Sequence, residues 1–176
     1  MTTDELKNKI RNVPDFPIKG VMFRDITTLV KDKVAFKYVI DHLYERYKNK
    51  KIDQIIGIES RGFIFGGALA HRLGCGFVPA RKPGKLPGET IEESYELEYG
   101  RTSLQLHTDA IKKGDRVLVL DDLLATGGTI RATTNMVERL GGTIVEIAVV
   151  IELSFLKGRD KLKNYNIYAM LDYDSE

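Results

Sequence analysis

Val117-Leu118-Val119-Leu120-Asp121-Asp122-Leu123-Leu124-Ala125-Thr126-Gly127-Gly128-Thr129 is the stretch from which the rest of the chain is read. The run from Arg116 to Leu120, apolar throughout after its arginine, is the pattern of a strand buried on both faces, as in parallel sheets covered by helices. Two carboxylates, Asp121 and Asp122, follow it. A glycine-containing turn then turns backbone N–H groups and the hydroxyls of Thr126 and Thr129 toward a helix N-terminus, where a phosphate monoester is favoured. Acids in contact with that phosphate would be repelled, so they must serve a neighbouring cation or the vicinal hydroxyls of a ribose. The segment therefore describes a ribose phosphate. It is no Walker loop, because no Lys follows the second glycine, and it contains no Gly-x-Gly-x-x-Gly dinucleotide fingerprint.

Working outward, the same strand-turn-helix unit recurs. Ile52 to Ile58 runs into Glu59-Ser60-Arg61-Gly62 and then a helix that Gly74 stops. Phe77 to Ala80 reads as a short strand. After Thr129 a helix runs to Leu140, closed by Gly141-Gly142, and a strand follows from Ile144 to Ile151. The tail from Tyr165 to Tyr173 is one more strand, and its basic prelude, Lys157 to Lys163, reads as a solvated surface face. Upstream, Thr2 and Glu5 form a capping box for a short helix to about Arg11, before Pro14 and Pro17 impose extended chain. Phe36, Val39, Ile40, Leu43, Tyr44 and Tyr47 recur at helical spacing between Val34 and Lys48. Alternation of this kind predicts an α/β fold with a mainly parallel central sheet, whose ligands sit at the strand carboxyl ends.

At 176 residues the chain predicts one domain, residues 1–176, and 43% hydrophobic with 30% charged residues suffices for an ordinary core. A formal net charge of +2 argues against a protein that grips nucleic acid through its phosphates. The lone Cys75 cannot form an internal disulfide, and the opening Met1-Thr2-Thr3-Asp4-Glu5 lacks a secretion signal, so a cytoplasmic location is expected. Apolar runs are too short to span a bilayer.

Two further segments carry chemistry. Ser60, Arg61 and Gly62 offer turn N–H groups and a forked guanidinium, which suit a diphosphate. Residues 81–106 break the strand-helix pattern: Arg81, Lys82 and Lys85 lie on a Gly/Pro stretch, then Tyr95, Leu97 and Tyr99 alternate with Glu96 and Glu98. That reads as a loop and hairpin acting as a lid, with its cations a mobile countercharge for a leaving group. Near the N-terminus, Phe23 and Arg24 by themselves read as a core aromatic ring with a surface charge.

The thirteen residues quoted first resemble the phosphoribosyl diphosphate motif of type I phosphoribosyltransferases. The lid, through Lys85-Leu86-Pro87-Gly88-Glu89-Thr90 and Ser94-Tyr95-Glu96-Leu97-Glu98-Tyr99-Gly100, is similar to the flexible loop of adenine phosphoribosyltransferases. Asp15 to Ile26 resembles the hood of the same family, with Met22, Phe23 and Arg24 as the adenine-binding residues. The resemblance implies a type I phosphoribosyltransferase fold with a small hood from residues 1–30 and a flexible lid at 81–106. It implies that Asp121 and Asp122 attend the ribose, that Ala125, Thr126, Gly127, Gly128 and Thr129 wrap the 5′-phosphate, and that Ser60, Arg61 and Gly62 take the diphosphate with Arg81, Lys82 and Lys85. Hypoxanthine and guanine transferases carry an Asp where this chain has Ala125, which does no proton chemistry. The resemblance transfers that role to Glu98, with Glu96 a weaker substitute, and makes Glu98 and Arg61 the catalytic pair.

The expected reaction is transfer of a ribosyl phosphate from phosphoribosyl diphosphate to adenine, giving AMP and diphosphate in purine salvage. Mg²⁺ is expected to arrive on the donor, near Asp121 and Asp122, with no direct protein ligands. A homodimer is implied, with Arg81 or Lys82 reaching across. Alternatives are a xanthine or guanine transferase and a non-catalytic sensor of the same donor.

Overall fold

The structure, a computed structural model, describes residues 1–97 and 100–175. The chain opens with helix α1 (Thr3–Lys7), for which Thr2 and Glu5 make the reciprocal capping box. This helix is shorter than the spacing predicts: Arg11 lies in strand β1 (Arg11–Val13), antiparallel to β2 (Phe23–Asp25). Helices α2 (Thr27–Lys31) and α3 (Lys33–Tyr47) follow. The Asp32 carboxylate caps α3 by accepting from the N–H groups of Val34 and Ala35 at 2.9 and 3.1 Å.

Three repeats of strand and crossover then build the sheet. β3 (Gln54–Ile58) leads into α4 (Gly62–Leu73), which ends at Gly74 in the left-handed conformation, and on to β4 (Gly76–Ala80). The lid segment forms an antiparallel hairpin of β5 (Thr90–Leu97) and β6 (Gly100–His107), as its alternation predicts. Next come β7 (Arg116–Leu124), α5 (Gly128–Arg139), β8 (Thr143–Leu153), two short 3₁₀ turns at Ser154–Leu156 and Gly158–Leu162, and β9 (Ile167–Tyr173). The five central strands are all parallel, in the order β4-β3-β7-β8-β9.

Period-two alternation divides the strands between two cores. Ile55, Leu118, Leu120, Ala148 and Val150 face the first, with Leu6, Leu29, Val39, Leu43, Phe65 and Leu69 from the N-terminal helices and α4. Ile56, Ile58, Val119, Ile147 and Val149 face the other, closed by Ile130, Met136 and Val137 of α5, by Leu104 and Leu106 of the hairpin, and by Leu162. The hairpin is therefore half lid and half core. Among the described residues no helix is long and apolar enough to cross a membrane.

The small two-stranded sheet that begins the chain is anchored by ions and rings. Asp25 accepts from the Arg11 Nε at 3.0 Å and from the Thr27 N–H at 2.9 Å, and hydrogen bonds from Thr27 and then Arg11 hold its carboxyl down at about 2. A carboxylate lowered on folding adds stability above its unfolded value of about 3.9, and that stability disappears as pH falls through the folded value. Asp25→Asn is accordingly expected to lower Tm at pH 6. The gap from wild type should close as pH drops from about 4 toward 2, as calorimetry across that range would record.

Candidate active site

β3 and β7 are neighbours, yet the chain leaves their carboxyl ends in opposite directions. From β3 it passes through α4 to β4 on one side; from β7 it passes through α5 to β8 on the other. A crevice must open where the two connections diverge, and ligands of open parallel sheets bind there. Both motifs singled out in the sequence lie at this point. The cavity has a volume of 520 Å³ and is lined by Glu59, Ser60 and Arg61 after β3, by Asp121 to Gly127 and Thr129 around the end of β7, and by Lys82, Tyr95 and Leu104.

The strand carrying the acids is longer than its apolar run suggests. β7 continues through Asp121, Asp122 and Leu123 to Leu124, because Asp121, Leu123 and Leu124 pair with Val149, Ile151 and Glu152 of β8. The carboxylates are thus held by a central strand rather than a turn, and both are buried. Asp122 forms an ion pair with Arg61, Nε to Oδ2 at 2.8 Å, and its own N–H donates to the Asp121 Oδ1 at 2.8 Å. Burial pushes the Asp121 carboxyl well up, helped by the neighbouring charge of Asp122. Burial also raises Asp122, with the Arg61 guanidinium pulling the other way. The dyad is set to receive hydroxyl donors or further positive charge.

Close approach explains the glycine after Arg61. A Cβ on Gly62 would sit 3.0 Å from the Asp121 Oδ1 and 3.0 Å from the Leu120 carbonyl oxygen, so α4 can start against β7 only without one. On the other side, Gly127 caps α5 with a φ of 79° and no side-chain cap. The first intrahelical bond runs from the Arg131 N–H to the Gly127 carbonyl, leaving the N–H groups of the first turn for an anion. Tyr95 of the hairpin lies over this turn: a Cβ on Gly128 would come within 3.2 Å of its ring. Gly127→Ala places a Cβ 2.4 Å from the Gly158 carbonyl oxygen in a left-handed residue. The expected cost is about 1–3 kcal/mol, seen as a lowered Tm together with weakened binding of ribose 5-phosphate.

Arg81 is less free than a mobile countercharge would be. Its backbone bridges to Gln105 and its Nε donates to Glu59 at 3.1 Å, so it is tied to the end of β3. Of the three lid cations Lys82 lines the cavity, whereas Lys85 is exposed and outside the lining. Arg24 does not offer its side chain to a base: it is buried, donates to the Asn12 Oδ1 at 2.7 Å and stacks 4.3 Å from the centre of the Tyr173 ring. From Lys157 to Lys163 the charged side chains are exposed, as the sequence predicts, while Gly158 and Leu162 between them are buried.

Phe23 offers a ring face beside the crevice. It is half-buried, meets Phe16 edge to face at 5.0 Å and carries the Arg61 guanidinium 5.4 Å from its centre. Phe16, Phe23, Asp25 and Arg61 line a second cavity of 460 Å³, so Arg61 borders both hollows. Met22 is half-buried beside this platform, ahead of β2. Leu123, which the sequence motif leaves without a role of its own, is an apolar wall of the larger cavity. Glu96 is exposed at the hairpin, and Glu98 lies outside the described residues. No group of three or more His, Cys, Asp or Glu side chains is disposed to hold a metal among the described residues.

Comparison with known proteins agrees with this geometry. Residues 27–174 match the phosphoribosyl transferase domain family. A curated protein of Desulfosudis oleivorans, called adenine phosphoribosyltransferase, is 54% identical over 172 residues, covering 98% of this chain and 99% of its own length. The crystal structure of adenine phosphoribosyltransferase from Thermoanaerobacter pseudethanolicus superposes with a TM-score of 0.94 at 52% identity, covering 98% of this chain and all of the other. That from Saccharomyces cerevisiae, complexed with an imino-altritol bisphosphate and adenine, gives a TM-score of 0.90 at 43% identity over 96% of this chain and 98% of the other.

Proposed function

The chain belongs to the phosphoribosyl transferase family and has adenine phosphoribosyltransferase activity, and from that premise we propose how its residues divide the work. The observation that carries the division is the crevice between β3 and β7, where an arginine, two buried acids and an uncapped helix start line one cavity. The 5′-phosphate of phosphoribosyl diphosphate occupies the N–H cradle from Ala125 to Thr129. The ribose hydroxyls donate to Asp121 and Asp122. The diphosphate lies against Ser60, Arg61 and Gly62, with Lys82 above it. Adenine stacks on Phe23, its edge read by the backbone of Met22 to Arg24, since the Arg24 side chain is occupied elsewhere.

In the reaction the bond from the anomeric carbon to the diphosphate oxygen breaks, the purine N9 bonds to that carbon, and the N9 proton is released. Positive charge grows on the sugar while negative charge leaves with the diphosphate, so fixed cations at the leaving group are the main electrostatic lever. Arg61 supplies one. Glu98 handles the purine ring proton, because Ala125 has no group that can. Mg²⁺ arriving with the donor would lie near Asp121 and Asp122 and would supply further countercharge to the departing diphosphate. Asp122 is already engaged by Arg61, which suits a metal carried in rather than one caged by the protein.

We extend the reading to a homodimer, supported by the exposed apolar residues Phe16, Ile18, Val21 and Ile64. Of the two residues expected to reach across, Arg81 is tied to Glu59 and Lys82 lines the cavity of its own chain. Incubating the protein with phosphoribosyl diphosphate, Mg²⁺ and adenine, guanine, hypoxanthine or xanthine in turn tests the activity. AMP should form rapidly from adenine, and preference for another base, or donor binding without any product, would overturn the assignment.

A further inference from the structure

The segment after β8, which no motif marked, sits directly on the back of the phosphate cradle. A Cβ on Gly127 would be 2.4 Å from the Gly158 carbonyl oxygen, and a Cβ on Gly158 would be 2.2 Å from the Ala125 carbonyl oxygen and 2.9 Å from a Leu124 methyl. Two glycines thus allow main chain to pack on main chain, with no side chain between them. Contact this close transmits displacement, because backbone cannot rotate away as a side chain can.

What holds Gly158 in place is also specific. Its neighbour Arg159 donates to both oxygens of Glu152, Nε at 2.7 Å and Nη2 at 2.6 Å, and Nη1 reaches the Ile167 carbonyl at 3.3 Å. Glu152 is buried and belongs to β8, where it is the register partner of Leu124 in β7. On the far side of Gly158, Leu162 is fully buried in the core that contains Ile130 of α5. The brace is therefore pinned to the same strand end and the same helix start that form the cradle.

We propose that Gly158, fixed by the Arg159–Glu152 pair, is a positioning residue that sets the height of the Ala125–Gly127 backbone against the 5′-phosphate. The inference rests on the assignment of that cradle to the phosphate. A brace behind the cradle acts on ligands that carry the 5′-phosphate, namely the donor and AMP. It leaves diphosphate alone, because Ser60 to Gly62 belong to a different strand end.

The test compares Gly158→Ala, and the milder Arg159→Lys, with wild type in both reaction directions. Gly158→Ala is expected to raise KM for phosphoribosyl diphosphate and for AMP about 10- to 100-fold, with KM for adenine and for diphosphate unchanged. Arg159→Lys keeps the charge, loses the two-pronged bond and should shift the same two constants in the same direction, less strongly. A uniform loss across all four substrates, or no change in any, would overturn the brace. If Gly158→Ala fails to fold, Arg159→Lys decides by the same selective pattern. Wild-type turnover in the same assays tests the activity itself, so the two ideas fail separately.

Discussion

Replacing Glu98 with Ala is expected to lower kcat by about 10²- to 10⁴-fold, the usual worth of a positioned acid or base, while KM for the donor stays unchanged. Among the described residues, the carboxylates that line the crevice are committed elsewhere: Glu59 accepts from the Arg81 Nε at 3.1 Å. Asp121 and Asp122 are buried, their carboxyls raised by burial, with Asp122 engaged by Arg61. Ala125 is inert, and Glu96 is exposed one alternation away on the hairpin. Glu98→Gln keeps the shape and removes the base, so it should lose as much as Ala. Steady-state kinetics across pH measure both variants, and turnover equal to wild type would remove Glu98 from the mechanism.

The second large effect belongs to Arg61. Arg61→Ala is expected to reduce kcat/KM for the donor by about 10²- to 10³-fold, as for loss of one preorganised donor facing developing charge. The same change strips Asp122 of its countercharge while leaving it buried, so Tm should fall as well. The double variant Arg61→Ala with Asp122→Asn separates the two consequences. It should recover thermal stability, since no uncompensated charge remains, without recovering rate. Recovery of both would mean that Arg61 serves only the fold. Lysine at position 61 should restore part of the rate, because it supplies charge without the two-pronged fork.

Residues 117–129 announced their chemistry in one dimension because strand, acids and glycine turn are contiguous, and a phosphate cradle is made of consecutive backbone N–H groups. The turn at Ser60 to Gly62, proposed for the diphosphate, is legible in the sequence for the same reason. The alternation of apolar strands and helices predicted the parallel sheet, since burial on both faces leaves continuous apolar runs. The end of β7 was misread at Leu120, because two acids in a central strand look like a stop until Leu124 is found paired with Glu152.

Composition and local order by themselves determined the fold class and the turn proposed as the phosphate cradle, because these depend on neighbours in the chain. Only tertiary structure decided which long side chains are free to act. Arg24 is drawn to Asn12 and Tyr173 and Arg81 to Glu59, partners between 12 and 149 residues away that no local pattern reveals. The same holds for Gly158, whose lack of a side chain matters solely because Ala125 and Gly127 are folded against it. Contacts between segments distant in sequence are settled by packing, and packing exists only once the sheet has brought the strand ends together.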